Sequence, residues 1–298
     1  MKILVTGSQG MLGRDLLACL AQEGYAVVGI DLPELDITKA EDVFFCLGEV
    51  RPDIVINCAA YTAVDQAERE ADLAFAVNRD GSANLAEACG CLGLPLVHLS
   101  TDYVFNGYSD RPYREEDLAN PISVYGRSKW EGEEVIRAKL VKYLILRTSW
   151  LYGVNGNNFV KTILRLARER EELRVVVDQQ GCPTWTGDLA EALRVLIGRI
   201  CEDQKKVEWG TYHFCGDGFT TWYDFAREIL IRSSVLRTPT KVKLVPVTTG
   251  EYPTLAQRPK WSVLDCGKIQ EVFGISSKPW REGLESMISD LPKRDRTK

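Results

Sequence analysis

The sequence predicts an α/β protein in which a doubly wound parallel sheet is followed by a smaller C-terminal lobe. In the first half, short apolar runs rich in Val, Ile and Leu alternate with longer amphipathic stretches. The apolar runs lack alternating polar residues, which is typical of strands that are covered on both faces. After residue 150 this rhythm changes and does not return. We therefore expect one domain over residues 1–150 and a smaller lobe over residues 151–298, partly interleaved with the first.

Five strands and four helices are predicted in the first domain. The strands are Lys2–Thr6, Ala26–Ile30, Ile54–Asn57, Leu96–Ser100 and Tyr143–Arg147. The helices are Met11–Glu23, Lys39–Gly48, Asp72–Leu92 and Pro121–Lys139. Because strands that alternate with helices form βαβ units, the five strands are expected to run parallel.

The second part of the chain is expected to add fewer elements. The predicted helices are Phe159–Arg170 and Asp188–Ile200, and the predicted strands are Arg174–Val177 and Thr211–Phe214. The charged tail Lys293–Lys298 is expected to be frayed.

The composition argues against several classes of protein. The net charge is −5, whereas duplex nucleic-acid binders usually have a basic surface, so no nucleic acid is expected as a partner. No apolar run is long enough to span a bilayer, and the short one at the N-terminus does not resemble a signal sequence. The 9 cysteines are scattered, and none forms a Cys-x-x-Cys pair, which favours reduced thiols in a cytoplasmic protein.

A glycine-rich segment links the first strand to the first helix. Gly7, Gly10 and Gly13 are spaced three apart in Thr6–Gly13. In a Rossmann-type fold, such glycines allow a tight turn, a close approach of backbone to a pyrophosphate, and close helix–sheet packing. An ordinary glycine-rich turn is the alternative, but the strand–turn–helix context favours a site for NADH or NADPH.

Asp31 follows the second strand, where an acidic residue accepts hydrogen bonds from the adenosine ribose. Its charge would repel a 2′-phosphate, which tilts the choice of cofactor toward NADH. An exposed loop carboxylate is the alternative. Asp36 and Ile37 are expected to frame the adenine, and the small residues Ala59 and Ala60 leave room for a cofactor across the strand ends.

Tyr125 and Lys129 form the predicted catalytic pair. With Asn120 as the cap and Pro121 in the first turn, the two side chains lie at i and i+4 on one helix face. An ammonium near a phenol lowers the pKa of the phenol, which makes Tyr125 a general acid–base near neutral pH. An exposed amphipathic pair is the alternative.

Thr101 strengthens the catalytic interpretation of this pair. It follows a predicted buried strand, and doubly wound sheets bind ligands at the carboxyl ends of their strands. Its hydroxyl could hold a substrate carbonyl against Tyr125, although simple capping of the strand end is the alternative reading.

Together, the glycine-rich segment, Thr101, Tyr125 and Lys129 resemble the extended short-chain dehydrogenase/reductase superfamily. Several further segments resemble the narrower dTDP-4-dehydrorhamnose reductase family. These segments are Leu99–Phe105, Arg147–Trp150, Asn157–Phe159, Gln180–Thr184 and Arg258–Pro259. The resemblance covers nearly the whole chain and implies that the smaller lobe binds the substrate.

The resemblance implies reduction of the C4 ketone of a dTDP-linked 4-dehydro-6-deoxy sugar to dTDP-L-rhamnose. Tyr125 would donate the proton, Thr101 would bind the carbonyl side, and Lys129 would tune Tyr125 and bind the nicotinamide ribose. The residues implied around the cofactor are Gly7, Gly10, Met11, Leu12, Gly13, Asp31, Asp36, Ile37, Ala60, Tyr61, Thr62, Tyr125 and Lys129. Those implied for the nucleotide-sugar substrate are Thr101, Asp102, Trp150, Asn158 and Arg258.

Two features of the family are not carried over. Some members join two subunits through a metal held by acidic residues on the first helix and the second lobe. Asp15 could serve on the helix, but Trp185–Asp188 places no clear partner carboxylate. We therefore predict no metal, and a homodimer is allowed rather than required.

Other functions compatible with the sequence are a non-catalytic, NADP-binding regulatory subunit, resembling that of methionine adenosyltransferase, and a reductase or epimerase of another nucleotide-sugar. The intact Thr101, Tyr125 and Lys129 favour an enzyme. His98 and His213 are interpreted as core histidines, too far apart for a His-based site. Asn78 is expected either to bond backbone near the site or to be a solvated helix residue.

Overall fold

The computed structural model describes residues 1–234 and 242–291. The strands are β1 (Lys2–Thr6), β2 (Ala26–Ile30), β3 (Ile54–Asn57), β4 (Leu96–Thr101), β5 (Tyr143–Thr148), β6 (Leu151–Tyr152), β7 (Glu172–Val176), β8 (Gln180–Gly181), β9 (Thr184–Trp185), β10 (Gly210–His213), β11 (Thr220–Thr221) and β12 (Lys243–Val247). The helices are α1 (Met11–Gln22), α2 (Ala40–Val50), α3 (Val64–Ala67), α4 (Ala71–Phe75), α5 (Gly81–Leu92), α6 (Val124–Lys139), α7 (Phe159–Glu169), α8 (Thr186–Glu202), α9 (Trp222–Ser234), α10 (Gly267–Phe273) and α11 (Trp280–Asp290). The predicted tail Lys293–Lys298 lies outside the described residues.

The central sheet has six parallel strands in the order β10-β5-β4-β3-β1-β2. The predicted doubly wound α/β fold is confirmed, and the five strands predicted in the first domain lie where the sequence placed them. β4 and β5 each run one residue further than predicted, to Thr101 and Thr148. Their ends are paired with each other, so both chain segments leave the sheet at the same level.

The sheet is covered on both faces. Ile3 and Val5 of β1 belong to a buried cluster that includes residues of α1 and α8, whereas Leu4 belongs to a cluster that includes residues of α2 and α5. Successive residues of a strand point to opposite faces. Two-sided burial therefore explains why β1 is apolar at consecutive positions rather than at every second one.

The second part of the chain contributes to this layer structure. β10 pairs with β5 as the sixth strand of the sheet, and α8 packs on α1. A separate cluster of buried residues lies among α7, α9 and α11. Three short two-stranded sheets, β7 with β12, β6 with β9 and β8 with β11, complete the described part of the lobe. None of the described helices is long and apolar enough to cross a membrane.

The start of α6 differs from the prediction. The helix begins at Val124 rather than Pro121, and its N-cap is Ser123, whose hydroxyl accepts the Gly126 N–H at 3.1 Å. The backbone N–H of Asn120 instead donates to Val104. A serine hydroxyl satisfies one of the free N–H groups of the first turn, which is why the helix starts here. Tyr125 consequently lies in the first turn.

The helix predicted over Asp72–Leu92 contains an irregularity. A π-helical segment, Ala76–Asp80, separates α4 from α5. Such segments are frequent at functional sites because they redirect side chains. This one contains Asn78, which is buried against the start of α6.

Candidate active site

The glycine-rich turn brings backbone close to backbone at the end of β1. Gly7 has φ +65°, and a Cβ added there would lie 2.5 Å from the Ala59 backbone nitrogen. Only glycine tolerates both the left-handed conformation and this contact. Gly10 caps α1, and no side chain bonds the first N–H groups of that helix. The turn and the helix N-terminus together form a place where an anionic group can be bound.

A cleft of about 400 Å³ adjoins this turn. It contains seven of the residues predicted around the cofactor, namely Gly7, Gly10, Asp31, Asp36, Ile37, Ala60 and Tyr61. Leu32, Leu35, Leu73 and Val77 form an apolar part of its wall. An anion site beside an apolar wall fits a dinucleotide, whose diphosphate and adenine need these two environments.

Six residues predicted around the cofactor are outside this lining, and two of them, Tyr125 and Lys129, lie on α6. Met11 is the first residue of α1, and its sulfur lies 3.6 Å from the side-chain nitrogen of Asn158. Leu12 is buried in the core, Gly13 packs in α1 against the turn, and Thr62 is exposed. Their assignment to the cofactor stays a prediction.

The two acidic residues of the cleft are held by local hydrogen bonds. Asp31 accepts the N–H of Gln9 and of Leu32, each at 2.9 Å. Asp36 accepts the Thr38 hydroxyl at 2.7 Å and its N–H at 3.0 Å, which lowers the pKa of Asp36. Both are therefore oriented carboxylates rather than free loop charges.

Tyr125 and Thr101 meet at the carboxyl end of β4. Thr101 accepts the Tyr103 N–H at 3.1 Å and donates to Asp102 at 3.0 Å, so it does cap the strand end. Burial raises the pKa of Tyr125 to about 12, against the lowering effect of a hydrogen bond with the Thr101 hydroxyl. A Cβ added at Gly126 would lie 2.2 Å from the Tyr103 carbonyl oxygen. The glycine therefore lets the first turn of α6 approach the strand end.

Lys129 lies one turn further along α6 and is buried. Its ammonium nitrogen donates to the Leu99 carbonyl at 2.6 Å and lies 3.3 Å from Nε2 of His98. Burial lowers the pKa of Lys129 to about 8, although the charge of Glu133 acts in the opposite direction.

The expectation that Lys129 lowers the pKa of Tyr125 is wrong for this structure. The lysine is bonded to Leu99 and not to the phenol, and burial of the phenol outweighs the other influences on its pKa. The two residues are nevertheless brought together on α6 as predicted. The result is a phenol that stays protonated near neutral pH.

Asp102 has an oxygen without a partner. It is 2% exposed, and its Oδ2 has no hydrogen-bond partner within the described residues. Burial raises the pKa of Asp102 to about 6, although the nearby hydroxyls of Ser262, Thr101 and Ser149 act to lower it. A buried carboxyl oxygen of this kind costs free energy unless something else bonds it.

Trp150, Asn158 and Arg258 are fixed by their own contacts. Trp150 has φ 46° and stacks on Trp222 with ring centroids 3.5 Å apart. The side-chain oxygen of Asn158 caps α7 by accepting the Lys161 N–H at 3.2 Å. Arg258 is not a free surface charge.

The Arg258 guanidinium donates to both carboxylate oxygens of Asp65, at 3.0 and 2.6 Å. It is partly buried, near Tyr103, whose ring lies edge-on to Tyr125 with centroids 5.8 Å apart. The chain therefore holds this cation close to Tyr103 and Tyr125. Its contact with a substrate diphosphate stays a prediction.

Several residues of the site were not predicted from the sequence. Trp222 stacks on Trp150, and the Ser262 hydroxyl lies near Asp102; both come from distant parts of the chain, and no local pattern marks them. Ser149, also near Asp102, lies within the segment Arg147–Trp150 but was not assigned to the site. For Asn78, the first of the two alternatives is correct. Its side chain bonds both the N–H and the carbonyl of Tyr61 and donates to Ser128, so it joins the cleft wall to α6.

Asp15, the acidic residue considered for a metal, bonds other side chains. It accepts from Asn155 at 2.8 Å and from the Thr186 hydroxyl. Within residues 1–234 and 242–291, no group of three or more His, Cys, Asp or Glu is arranged to hold a metal ion.

The family model and the similar proteins point to the same family. A family model described as the RmlD substrate binding domain matches residues 1–292. The dTDP-4-dehydrorhamnose reductase of Aggregatibacter actinomycetemcomitans is 45% identical over 288 residues, which cover 96% of this chain and 98% of that protein.

Two solved structures are similar over nearly their whole length. A dTDP-4-dehydrorhamnose reductase from Clostridium acetobutylicum has a TM-score of 0.89 and 42% identity, covering 97% of this chain and 99% of that one. The enzyme of the same name from Bacillus anthracis, solved in complex with NADP, has a TM-score of 0.89 and 41% identity with the same coverage. The similarity thus includes the sheet, the cleft and the second lobe.

Proposed function

The chain belongs to the family of dTDP-4-dehydrorhamnose reductases, and from this premise we propose that Tyr125, Thr101 and Lys129 carry its reaction. The enzyme reduces the C4 ketone of dTDP-4-dehydro-6-deoxy-L-mannose (dTDP-4-dehydrorhamnose), using NADPH or NADH, and forms dTDP-L-rhamnose. The observation that supports these residues most strongly is the placement of buried Tyr125 beside Thr101 at the end of β4, one helical turn from Lys129.

The cleft beside the glycine-rich turn holds the cofactor. The backbone around Gly7 and Gly10 and the N-terminus of α1 bind the diphosphate. Asp31 accepts hydrogen bonds from the adenosine ribose, and the apolar wall near Ile37 packs on the adenine. When bound, the reduced nicotinamide supplies the hydride. Lys129 binds the nicotinamide ribose.

Tyr125 donates the proton to the ketone oxygen. A pKa of about 12 keeps the phenol protonated at neutral pH, which is the form that a general acid needs. The Thr101 hydroxyl bonds the same oxygen and orients it toward Tyr125. As the proton leaves, the phenolate gains negative charge, and a charged Lys129 that has turned from Leu99 toward the cofactor ribose stabilises it.

The sugar lies between Asp102 and Trp150. The free oxygen of Asp102 is suited to bond a sugar hydroxyl, which would supply its missing partner. Trp150 offers a flat apolar surface for the deoxygenated carbon, with Trp222 stacked behind it. Arg258 pairs with the diphosphate of the substrate.

The direct test is to mix the purified protein with the dTDP-linked keto sugar and follow oxidation of NADPH and of NADH by absorbance. We expect oxidation that depends on the sugar, with dTDP-L-rhamnose as the product. Absence of oxidation with both cofactors would contradict the proposal and favour a role in binding only.

The location and assembly of the protein belong to the same proposal. All 9 cysteines are free, which suits a reducing compartment such as the cytoplasm. The family resemblance allows a homodimer without requiring one, and sedimentation velocity measures the oligomeric state.

A further inference from the structure

A chain of buried hydrogen bonds connects three neighbouring strands of the sheet to α6. It runs from Thr6 of β1 to Asn57 of β3, then to His98 of β4, and ends at Lys129 of α6. All four side chains are at most 2% exposed. In such a chain each donor needs an acceptor, so the proton positions can be worked out from one end to the other.

The orientation of the Asn57 amide is fixed by its neighbours. Its oxygen accepts the Ala59 backbone N–H at 3.0 Å and the Thr6 hydroxyl at 2.8 Å. A flipped amide would point its NH₂ group at the Ala59 N–H, with two donors facing each other. The Asn57 nitrogen is therefore the donor toward Nδ1 of His98, at 3.0 Å.

This orientation fixes the tautomer of His98. Burial lowers the pKa of His98 well below its usual value, so the ring is neutral and carries one proton. Because Nδ1 accepts from Asn57, that proton is on Nε2. The Nε2–H group faces the side-chain nitrogen of Lys129 at 3.3 Å.

An ammonium group has three N–H bonds and no lone pair, so it cannot accept from Nε2–H. An amine can accept from His98 while it donates to the Leu99 carbonyl. We propose that His98 is a positioning residue that donates its Nε2–H to Lys129 and so favours the amine form of that side chain.

The other ionisable groups around Lys129 do not remove this constraint. Glu133, one turn further along α6, favours the ammonium, and so does the Cys58 thiol after β3 when ionised. Glu133 is itself paired with the buried Arg147. Tyr125, one turn back along α6, is neutral. Formation of the ammonium therefore requires Lys129 to move off His98 and find further acceptors, such as ribose hydroxyls.

The inference rests on the proposed function only in giving Lys129 a part in the reaction. The network then selects between the amine and the ammonium form of Lys129. The amine is bonded to His98, and the ammonium, formed with one proton from solvent, is turned toward the cofactor ribose.

The first test is nitrogen NMR of the protein labelled with ¹⁵N-histidine. The chain has 2 histidines, and they are expected to be opposite tautomers. Nδ1 of His213 lies 3.1 Å from the Tyr113 carbonyl, so it is the protonated nitrogen there, which provides an internal reference. We expect a protonated Nε2 for His98. A protonated Nδ1 on His98 would overturn the inference.

The second test follows the same signals with pH. Because His98 stays neutral, its ring shifts should change only as Lys129 ionises, near pH 8, in a titration from about pH 6 to about pH 10. In Lys129→Met this change should vanish while the tautomer is kept. Flat His98 signals in the native protein, or the same titration in the variant, would overturn the donation to Lys129.

A third test removes the donor. His98→Phe keeps a buried ring but no N–H, so the pKa of Lys129 should rise and the alkaline limb of kcat/KM should move up by about one pH unit. An unmoved limb would contradict the positioning role, and if the variant does not fold the two NMR tests decide. Native protein that fails to reduce the keto sugar would contradict the proposed function and leave the NMR result standing.

Discussion

At the scale of single residues, Asp102 is held in a costly state, which the proposed bond to a sugar hydroxyl would relieve. Its pKa is raised from 3.8 to about 6, mainly by burial. The folded protein thus binds this proton more tightly than the unfolded chain does. The associated stability is present below about pH 4 and is lost as the pH rises through 6.

Asp102→Asn should therefore stabilise the protein at pH 8 by about 1 to 2 kcal/mol, with little effect at about pH 4. It should also weaken sugar binding, because the amide presents a donor where the carboxylate offers an acceptor. Urea unfolding at the two pH values measures the first effect and KM the second. Equal stability changes at both pH values would contradict this account of Asp102.

Asp31 is the residue expected to set the choice of cofactor. Its carboxylate accepts two backbone N–H groups, which offset part of its charge. Asp31→Ser removes the repulsion of a 2′-phosphate and should shift the ratio of kcat/KM for NADPH over NADH upward by roughly tenfold, the effect of about 1.4 kcal/mol. Steady-state kinetics with both cofactors measures this ratio. No change would mean that Asp31 does not face the ribose.

The spacing of Tyr125 and Lys129, and the position of Thr101 after a strand, could be read from the sequence because each depends on local periodicity. The pKa of Tyr125 could not, since it depends on how deeply the phenol is buried. The bonds from Asn57 to His98 and from His98 to Lys129 depend on strand register and on the distance between α6 and the sheet. These quantities are set by packing and not by neighbours in the chain.

At the scale of elements, a buried ion pair fastens α6 to β5. Glu133 of α6 pairs with Arg147 of β5, and both side chains are at most 3% exposed. Burial alone would raise the pKa of Glu133, but the charges of Arg147 and Arg137 lower it to about 2. The stability from this carboxylate is present above its ordinary pKa and is lost as the pH falls toward 2.

Glu133→Gln should cost about 3 kcal/mol of unfolding free energy at neutral pH, because it leaves a buried guanidinium without its counter-charge. Glu134→Gln is the matched control. Glu134 is exposed and, among the residues that the structure describes, its ion pair is with Arg137 on the same helix, so its loss should cost under about 1 kcal/mol. Denaturant unfolding of both variants measures the difference. Equal costs would show that the buried pair does not fasten the helix.

The strands were the best predicted elements and the start of α6 the worst. Parallel strands are continuous apolar runs with clear ends, so buried β1 and β3, and also the partly exposed edge strand β2, match the sequence prediction residue for residue. Both Asn120 and Ser123 are good helix caps. The choice between them depends on Asn120 bonding Val104, a contact that the local sequence does not reveal.

At the scale of the whole molecule, the two parts of the chain share one sheet. β10 adds the sixth strand and α8 covers α1, although both follow residue 150. The change of rhythm at that point is visible in the sequence, because helix and strand periodicity is local. The place where a later strand inserts is not, since that is decided by which sheet edge remains open.

A fragment of residues 1–150 should therefore not fold into a stable nucleotide-binding domain. It would expose the edge of β5 and the apolar residues of α1, such as Leu16 and Leu20, that belong to the cluster shared with α8. Circular dichroism and binding of NADPH by the fragment measure this. A cooperative unfolding transition with normal cofactor binding would show that the first part is independent.

The central claim is that the Tyr125 hydroxyl delivers the proton to the ketone. The most direct measurement is the single-turnover rate of Tyr125→Phe with saturating cofactor and keto sugar, beside Tyr103→Phe as the neighbouring phenol. We expect Tyr125→Phe to bind cofactor normally and to lose about 10²- to 10⁴-fold in rate, with Tyr103→Phe within about tenfold of the native protein. A Tyr125→Phe rate close to the native one would contradict the account.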